Sequence, residues 1–187
     1  NTLFKNDGGT GQILWQDSAG ATSLSTAVYA DSRFEFDLWL QAESTDDQFR
    51  FVWGANSPAP PTSVNELNID RNSLGGSLYR LILGGRSGGI LTGSTTTMVL
   101  GDNLAHHIRV DMQDIGLGNA TASLMVDGKK VLGKTVSLLA GFVGFVGLNQ
   151  TADATITVDD FIAWNAQALF VVGTIDADAN TLTQEFG

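Results

Sequence analysis

Polar and apolar residues alternate most cleanly over residues 32–43, SRFEFDLWLQAE. Phe34, Phe36, Leu38 and Leu40 fall on one face, and Arg33, Glu35, Asp37, Trp39 and Gln41 on the other. This is the period-two signature of a half-buried strand. The same alternation recurs over residues 48–55, where Phe49, Phe51 and Trp53 interleave with Arg50 and Val52. In residues 77–83, Leu78, Arg80 and Ile82 oppose Tyr79, Leu81 and Leu83. Ile108, Val110 and Met112 alternate with His107, Arg109 and Asp111. Residues 65–70, 121–126, 141–148 and 154–164 read as further strands. At the start of the chain, short strands at 2–5 and 12–16 flank an Asp7-Gly8-Gly9-Thr10-Gly11 turn. The Thr-rich residues 90–100 read as a strand pair or one irregular strand.

Turn chemistry punctuates this pattern. Asp127-Gly128 suits a tight hairpin, because both central residues tolerate positive φ. Gly116-Leu117-Gly118-Asn119 and the glycine-rich residues 84–89 read as turns, and the proline cluster at 57–61 as an extended surface loop. Strands recurring about every 8–12 residues, with no convincing helical period, predict an all-β sandwich or barrel.

Composition narrows the picture. A chain of 187 residues with 43% hydrophobic content can bury one core. One domain over residues 1–187 is expected, with 167–187 forming a closing or assembly strand plus tail. A net charge of −10 with only ten Lys and Arg argues against nucleic-acid binding, which needs a basic footprint. It argues equally against anionic membranes, and no apolar run is long enough for membrane insertion. The absence of cysteine excludes disulfides and thiol catalysis. Low charge density and many glycines suit an extracellular, cell-surface or virion protein.

Four segments carry a more specific signal. They are His106-His107-Ile108-Arg109-Val110, Val126-Asp127-Gly128-Lys129, Phe145-Val146-Gly147-Leu148 and Val158-Asp159-Asp160-Phe161-Ile162-Ala163. Together they resemble the second half of a concanavalin A-like jelly roll, the fold of laminin-G-type modules, legume lectins and laminarinase-type glycosidases. The resemblance implies two antiparallel sheets packed face to face, with a ligand site often carried on a concave sheet.

In laminarinase-like enzymes one strand carries a nucleophile Glu, a supporting Asp and an acid/base Glu in the pattern E-x-D-x-(x)-E. Here Glu35 and Asp37 match the first two, but Trp39 and Leu40 occupy the place of the third. A retaining mechanism needs a second carboxyl to protonate the leaving group, so no catalytic activity is expected. The expected function is a surface recognition module that binds carbohydrate, with a glycan or cell-surface polysaccharide as partner. Glu35, Asp37, Trp39 and Gln41 are its expected contacts, with Arg50 and Arg80 as neighbours. An apolar platform with placed polar groups is what a ligand site requires. The competing reading is that Arg33, Glu35, Asp37, Arg50, Arg80 and Arg109 form cross-strand ion pairs on a solvated sheet.

Two other readings of the chain stay open. One is a virion decoration or fibre-associated protein, in which residues 168–175 pair with another subunit as a homo-oligomer or with a capsid partner. The other is a polysaccharide hydrolase or lyase of the same fold. Calcium is the one cofactor suggested, because Asp176, Asp178 and Asn180 match the first half of a D-x-D-x-N calcium loop. Thr181 stands where that loop has Gly, and the alternative is a surface turn. His106 and His107 are neighbours on a strand and face opposite ways, which rules against a shared metal.

Overall fold

The computed structural model describes residues 4–15, 30–41, 48–56, 63–71, 76–165, 172–176 and 181–185. Twelve strands follow in chain order: β1 (Phe4–Trp15), β2 (Ser32–Gln41), β3 (Gln48–Ala55), β4 (Ser63–Asp70), β5 (Leu78–Ser87), β6 (Ile90–Val99), β7 (His106–Gly116), β8 (Asn119–Val126), β9 (Lys129–Ser137), β10 (Phe142–Asn165), β11 (Val172–Asp176) and β12 (Thr181–Glu185). No helix occurs among the described residues.

All pairings are antiparallel, and the hydrogen-bonded order is β6-β5-β4-β3-β10-β2-β7-β8-β9. The centre of this order is β10, which serves two layers in turn. Its first third pairs with β3, as in Phe145 opposite Phe51. Its last third pairs with β2, as in Val158 opposite Leu38. The front layer is therefore β6-β5-β4-β3 with the start of β10, and the back layer is the end of β10 with β2-β7-β8-β9. β1 runs antiparallel along the first two-thirds of β10, from Trp15 opposite Val143 to Phe4 opposite Val158.

The alternation read from the sequence decides which faces meet. Phe34, Phe36 and Leu38 of β2 and Phe49, Phe51 and Trp53 of β3 are almost fully buried. Their rings interlock between the layers. The Phe36 ring lies 5.1 Å from Phe51 and 5.0 Å from Phe145, and Phe34 meets Phe51 edge-on at 5.1 Å. Phe161 reaches the same cluster, 5.3 Å from Phe145. A break in the β10–β2 register between Asp159 and Ile162 precedes this contact, with Asp160 at φ 51°. At the far side, Ser94 Oγ donates to Gly133 O at 3.0 Å and Asn65 Nδ2 to Ser137 O at 2.8 Å, tying β9 to the front layer.

The two lateral edges differ in chemistry. β9 carries Lys129, Lys130 and Lys134, whereas β6 carries no charged residue and has no described strand on its other side.

Several expectations are corrected here. Residues 4–15 form one strand, because register shifts at Asp7, Gly9 and Gly11 absorb the glycines as bulges rather than a turn. Residues 141–148 and 154–164 belong to one 24-residue strand, β10. Gly84 and Gly85 lie inside β5, opposite Glu66 and Asn65, and only Gly88-Gly89 makes the turn. Residues 129–137 form a strand that the alternation did not single out. Residues 172–176 pair with β12 in a separate two-stranded hairpin.

The Asp127-Gly128 turn adopts φ values of 51° and 76°, as a two-residue hairpin demands. A buried histidine clamps it. His106 Nδ1 lies 2.8 Å from Asp127 Oδ2 and Nε2 lies 3.1 Å from Asp102 Oδ1. Burial works against the charged imidazole, yet bonds to Asp127 and Asp102 outweigh it and raise the His106 pKa above its ordinary value. Burial likewise opposes the charged carboxylates, but the bond to His106 and backbone N–H bonds hold Asp127 and Asp102 below the usual range. The histidine contribution is thus fully present below the ordinary imidazole pKa and is lost as pH rises through the raised one. The carboxylate contribution is present above the ordinary carboxylate pKa and is lost as pH falls through the lowered ones. Melting temperature should therefore peak between about pH 4 and 6.5 and fall by about 2–4 °C on the alkaline side. In His106→Gln that alkaline limb should flatten in a pH series of thermal melts. Phe36→Ala removes the ring at the centre of the cluster and should cost about 3–5 kcal/mol in urea unfolding.

Candidate functional site

The outer face of the front layer is the most distinctive surface of the molecule. Inward residues of β3, β4 and β5 fill the core, so Gln48, Arg50, Val52, Glu66, Asn68, Asp70, Arg80, Ile82 and Gly84 point the other way. The registers line them up in rows across the strands. One row reads Gly144, Val52, Glu66, Gly84, Gly93. Three of its five positions carry no side chain, with the buried Val52 and Glu66 between Gly144 and Gly84, and the row crosses five strands, about 19 Å at the usual strand spacing. The β5 and β6 backbones close tightly there, because a Cβ on Gly84 would collide with Thr92 O and Gly93 Cα. On one side runs the row Val146, Arg50, Asn68, Ile82, Thr95. On the other, Val64, Arg86 and Leu91 align.

Polar groups on this face are buried to an unusual degree. Glu66 is 1% exposed, Asp70 3% and Asn68 4%. Apolar Val52, Val64, Ala55 and Val146 form a cluster beside them, with Phe142 packed against it. Two arginine forks hold the carboxylates. Arg86 donates from Nε and Nη2 to both oxygens of Glu66, at 3.0 and 2.7 Å, and from Nη1 to Gly89 O. Arg80 does the same for Asp70, at 3.1 and 2.8 Å. The hydrogen bond to Glu66 outweighs burial and raises the Arg86 pKa above its ordinary value.

Between the forks sit two groups whose bonding is incomplete. Arg50 Nε and Asn68 Oδ1 are buried and have no hydrogen-bond partner among the described residues. Arg50 Nη2 bonds only the neutral Gln48 Oε1, at 3.0 Å. Burial lowers the Arg50 pKa, and nearby Arg86 adds to the effect against the opposing pull of Glu66 and Asp70.

The residues expected from the sequence divide between two surfaces. Glu35, Asp37, Trp39 and Gln41 lie on the outer face of the back layer. Arg50 and Arg80 lie on the outer face of the front layer, with the aromatic core between. They are not neighbours of Trp39, because β2 and β3 pack face to face and turn their polar sides apart. On the back layer, Arg33 and Arg109 both reach Asp111 at 2.7 Å. Glu35 lies within 4 Å of Arg33, Arg109 and His107, and His107 Nδ1 is 2.8 Å from Asp37 Oδ1. Burial opposes the Asp111 charge, but the bonds from Arg109 and Arg33 pull its pKa down. Ion pairs therefore cover this face among Arg33, Glu35, Asp37, His107, Arg109 and Asp111, while Arg50 and Arg80 of the competing reading lie on the other face. Trp39 pairs with Thr157 at the corner beyond the end of β7, partly buried.

Asp176 ends β11, opposite Thr181 in register, while Asp178 and Asn180 lie outside the described residues. Among the described residues no group of three His, Cys, Asp or Glu side chains could hold a metal ion.

Glu66 and Asn68 went unnoticed as site residues in the sequence. The signal was present: Glu66, Asn68 and Asp70 alternate with Leu67 and Ile69, as on β2. Glycines inside β5 and β6 marked a place of close backbone approach.

No protein-family model matches the chain, and no curated protein sequence matches it. Solved structures do. The Emp47p carbohydrate recognition domain superposes with a TM-score of 0.58 at 15% identity, over 88% of this chain and 82% of that one. The carbohydrate-binding module CBM66 from Bacillus subtilis gives 0.53 at 13%, over 84% and 96%. The Bacillus licheniformis β-glucanase gives 0.51 at 12%, over 88% and 98%. At these identities the likeness concerns architecture alone. The two packed antiparallel layers are a concanavalin A-like jelly roll.

Proposed function

We propose that this protein is a non-catalytic carbohydrate-recognition module that lays a glycan chain across the outer face of its front layer. The observation that carries the reading is the glycine-rich row from Gly144 to Gly93, bordered by the part-exposed Arg50 and Ile82. A bound sugar needs a floor with few protruding side chains, apolar surface for its C–H faces and an amide for its hydroxyls. Gly84 and Gly93 supply the first, the part-exposed Ile82 and Leu91 the second, and the part-exposed Gln48 the third. The likeness in fold to a carbohydrate recognition domain and a carbohydrate-binding module supports the reading.

Hydrolysis fits the geometry less well. Glu66 and Asp70 stand four residues apart on one strand, about 13 Å. Retaining and inverting glycosidases need roughly 5–5.5 Å and 6.5–9.5 Å. Both oxygens of each carboxylate also accept bonds from an arginine fork, which leaves neither placed to pass a proton.

Titration calorimetry against a panel of soluble polysaccharides tests the site. Gln48→Ala should weaken binding at least tenfold, and Trp39→Ala should leave it unchanged. The reverse result would move the site to the back layer. Reducing-end assays on the same panel should show no turnover; release abolished by Glu66→Gln would make the protein an enzyme. Because Glu66→Gln strips a buried arginine of its counter-charge, it should also cost about 3–5 kcal/mol in urea unfolding.

A further inference from the structure

We propose that the glycan taken on this face is anionic, and that Arg50 receives its carboxylate or sulfate group. The inference rests on the recognition reading above and adds a charge to the ligand.

Arg50 differs from Arg33, Arg80, Arg86 and Arg109. Each of those lies within 3 Å of a carboxylate oxygen. Arg50 contacts a neutral amide, its Nε is buried without an acceptor, and its register partner Asn68 is also unsatisfied. Scarcity of acid is not the reason, since the chain has twenty Asp and Glu against ten Lys and Arg. The two carboxylates on the adjacent strand are each committed to another arginine. A desolvated cation with no carboxylate bonded to it is costly, even where Glu66 and Asp70 act on it from the adjacent strand. An apolar residue would suit the position, as Val52 and Val146 do beside it, so the charge calls for a reason outside the fold.

A guanidinium presents a planar fork that matches the paired oxygens of a carboxylate or sulfate. Here it sits in the row bordering the glycine floor, with Asn68 and Gln48 beside it. Arg50 is part-exposed although its Nε is not, so an anionic sugar would meet the outer end of the side chain. The rest of the chain works against casual binding of polyanions, because a net charge of −10 repels them. Retention of one would therefore report a specific contact.

Two matched probe pairs test this by calorimetry at physiological salt: polygalacturonate oligosaccharides against their fully methyl-esterified form, and dextran sulfate against dextran. Each pair keeps the backbone and removes the charge. The wild type should bind one charged member at least tenfold more tightly than its neutral partner, and which pair does so separates uronate from sulfate. Arg50→Met should erase that difference, with a melting temperature equal to or above that of the wild type. Equal affinity for charged and neutral members would overturn the anionic ligand while leaving glycan recognition standing. Absence of binding to any glycan, these pairs included, would overturn both. A melting temperature several degrees lower in Arg50→Met would show that the guanidinium serves the fold, and would also overturn the inference.

Discussion

A single strand, β10, is hydrogen-bonded into both layers, and the rest of the structure is arranged around that constraint. Because its start pairs with β3 and its end with β2, the layers cannot slide apart or rotate freely. β1 follows it from one layer to the other and covers its second flank. The aromatic cluster forms where this crossing brings β2 and β3 face to face. Burial of those rings supplies the main favourable term, at roughly 25 cal/mol per Å² of apolar surface. The crossing decides which rings can meet.

The polar faces turned outward by this packing have different energetics. On the back layer, Arg33, Glu35, Asp37, His107, Arg109 and Asp111 exchange partners near water, where each pair contributes about 0–1 kcal/mol. On the front layer, Glu66 and Asp70 are almost wholly withdrawn from solvent and depend on their arginine forks. There a missing partner is expensive, and that is why the open positions at Arg50 and Asn68 stand out against well-satisfied surroundings.

The sequence carried the fold further than it carried the site. Phe34–Leu40, Phe49–Trp53 and Ile108–Met112 alternate so regularly that their buried faces could be read directly. The continuity of β10 could not, because the polar stretch around residues 149–153 looks like a loop; in the structure it stays in the strand, with Gln150 opposite Gly9 of β1. Gly84 and Gly85 looked like a turn, and their place inside a strand depends on Gly93 across β6. Alternation shows that a strand has two faces but not which layer it joins. Arg50 and Arg80 were therefore grouped with Trp39, and only the register separates them. Glu66 offered the same pattern as Glu35, and its significance rests on burial, a property of the assembled sheet.

The contrast between the two lateral edges bears on how the protein behaves in concentrated solution. Lysines on β9 deter a second molecule from adding a strand there. β6, rich in threonine and free of charge, has no such local guard, so its protection is the repulsion of the whole molecule. With a sequence pI near 4.3, that repulsion fades in mild acid while no described strand covers the edge. Colloidal stability is thus delegated to carboxylates spread over the surface, and acidification withdraws it without unfolding a single strand.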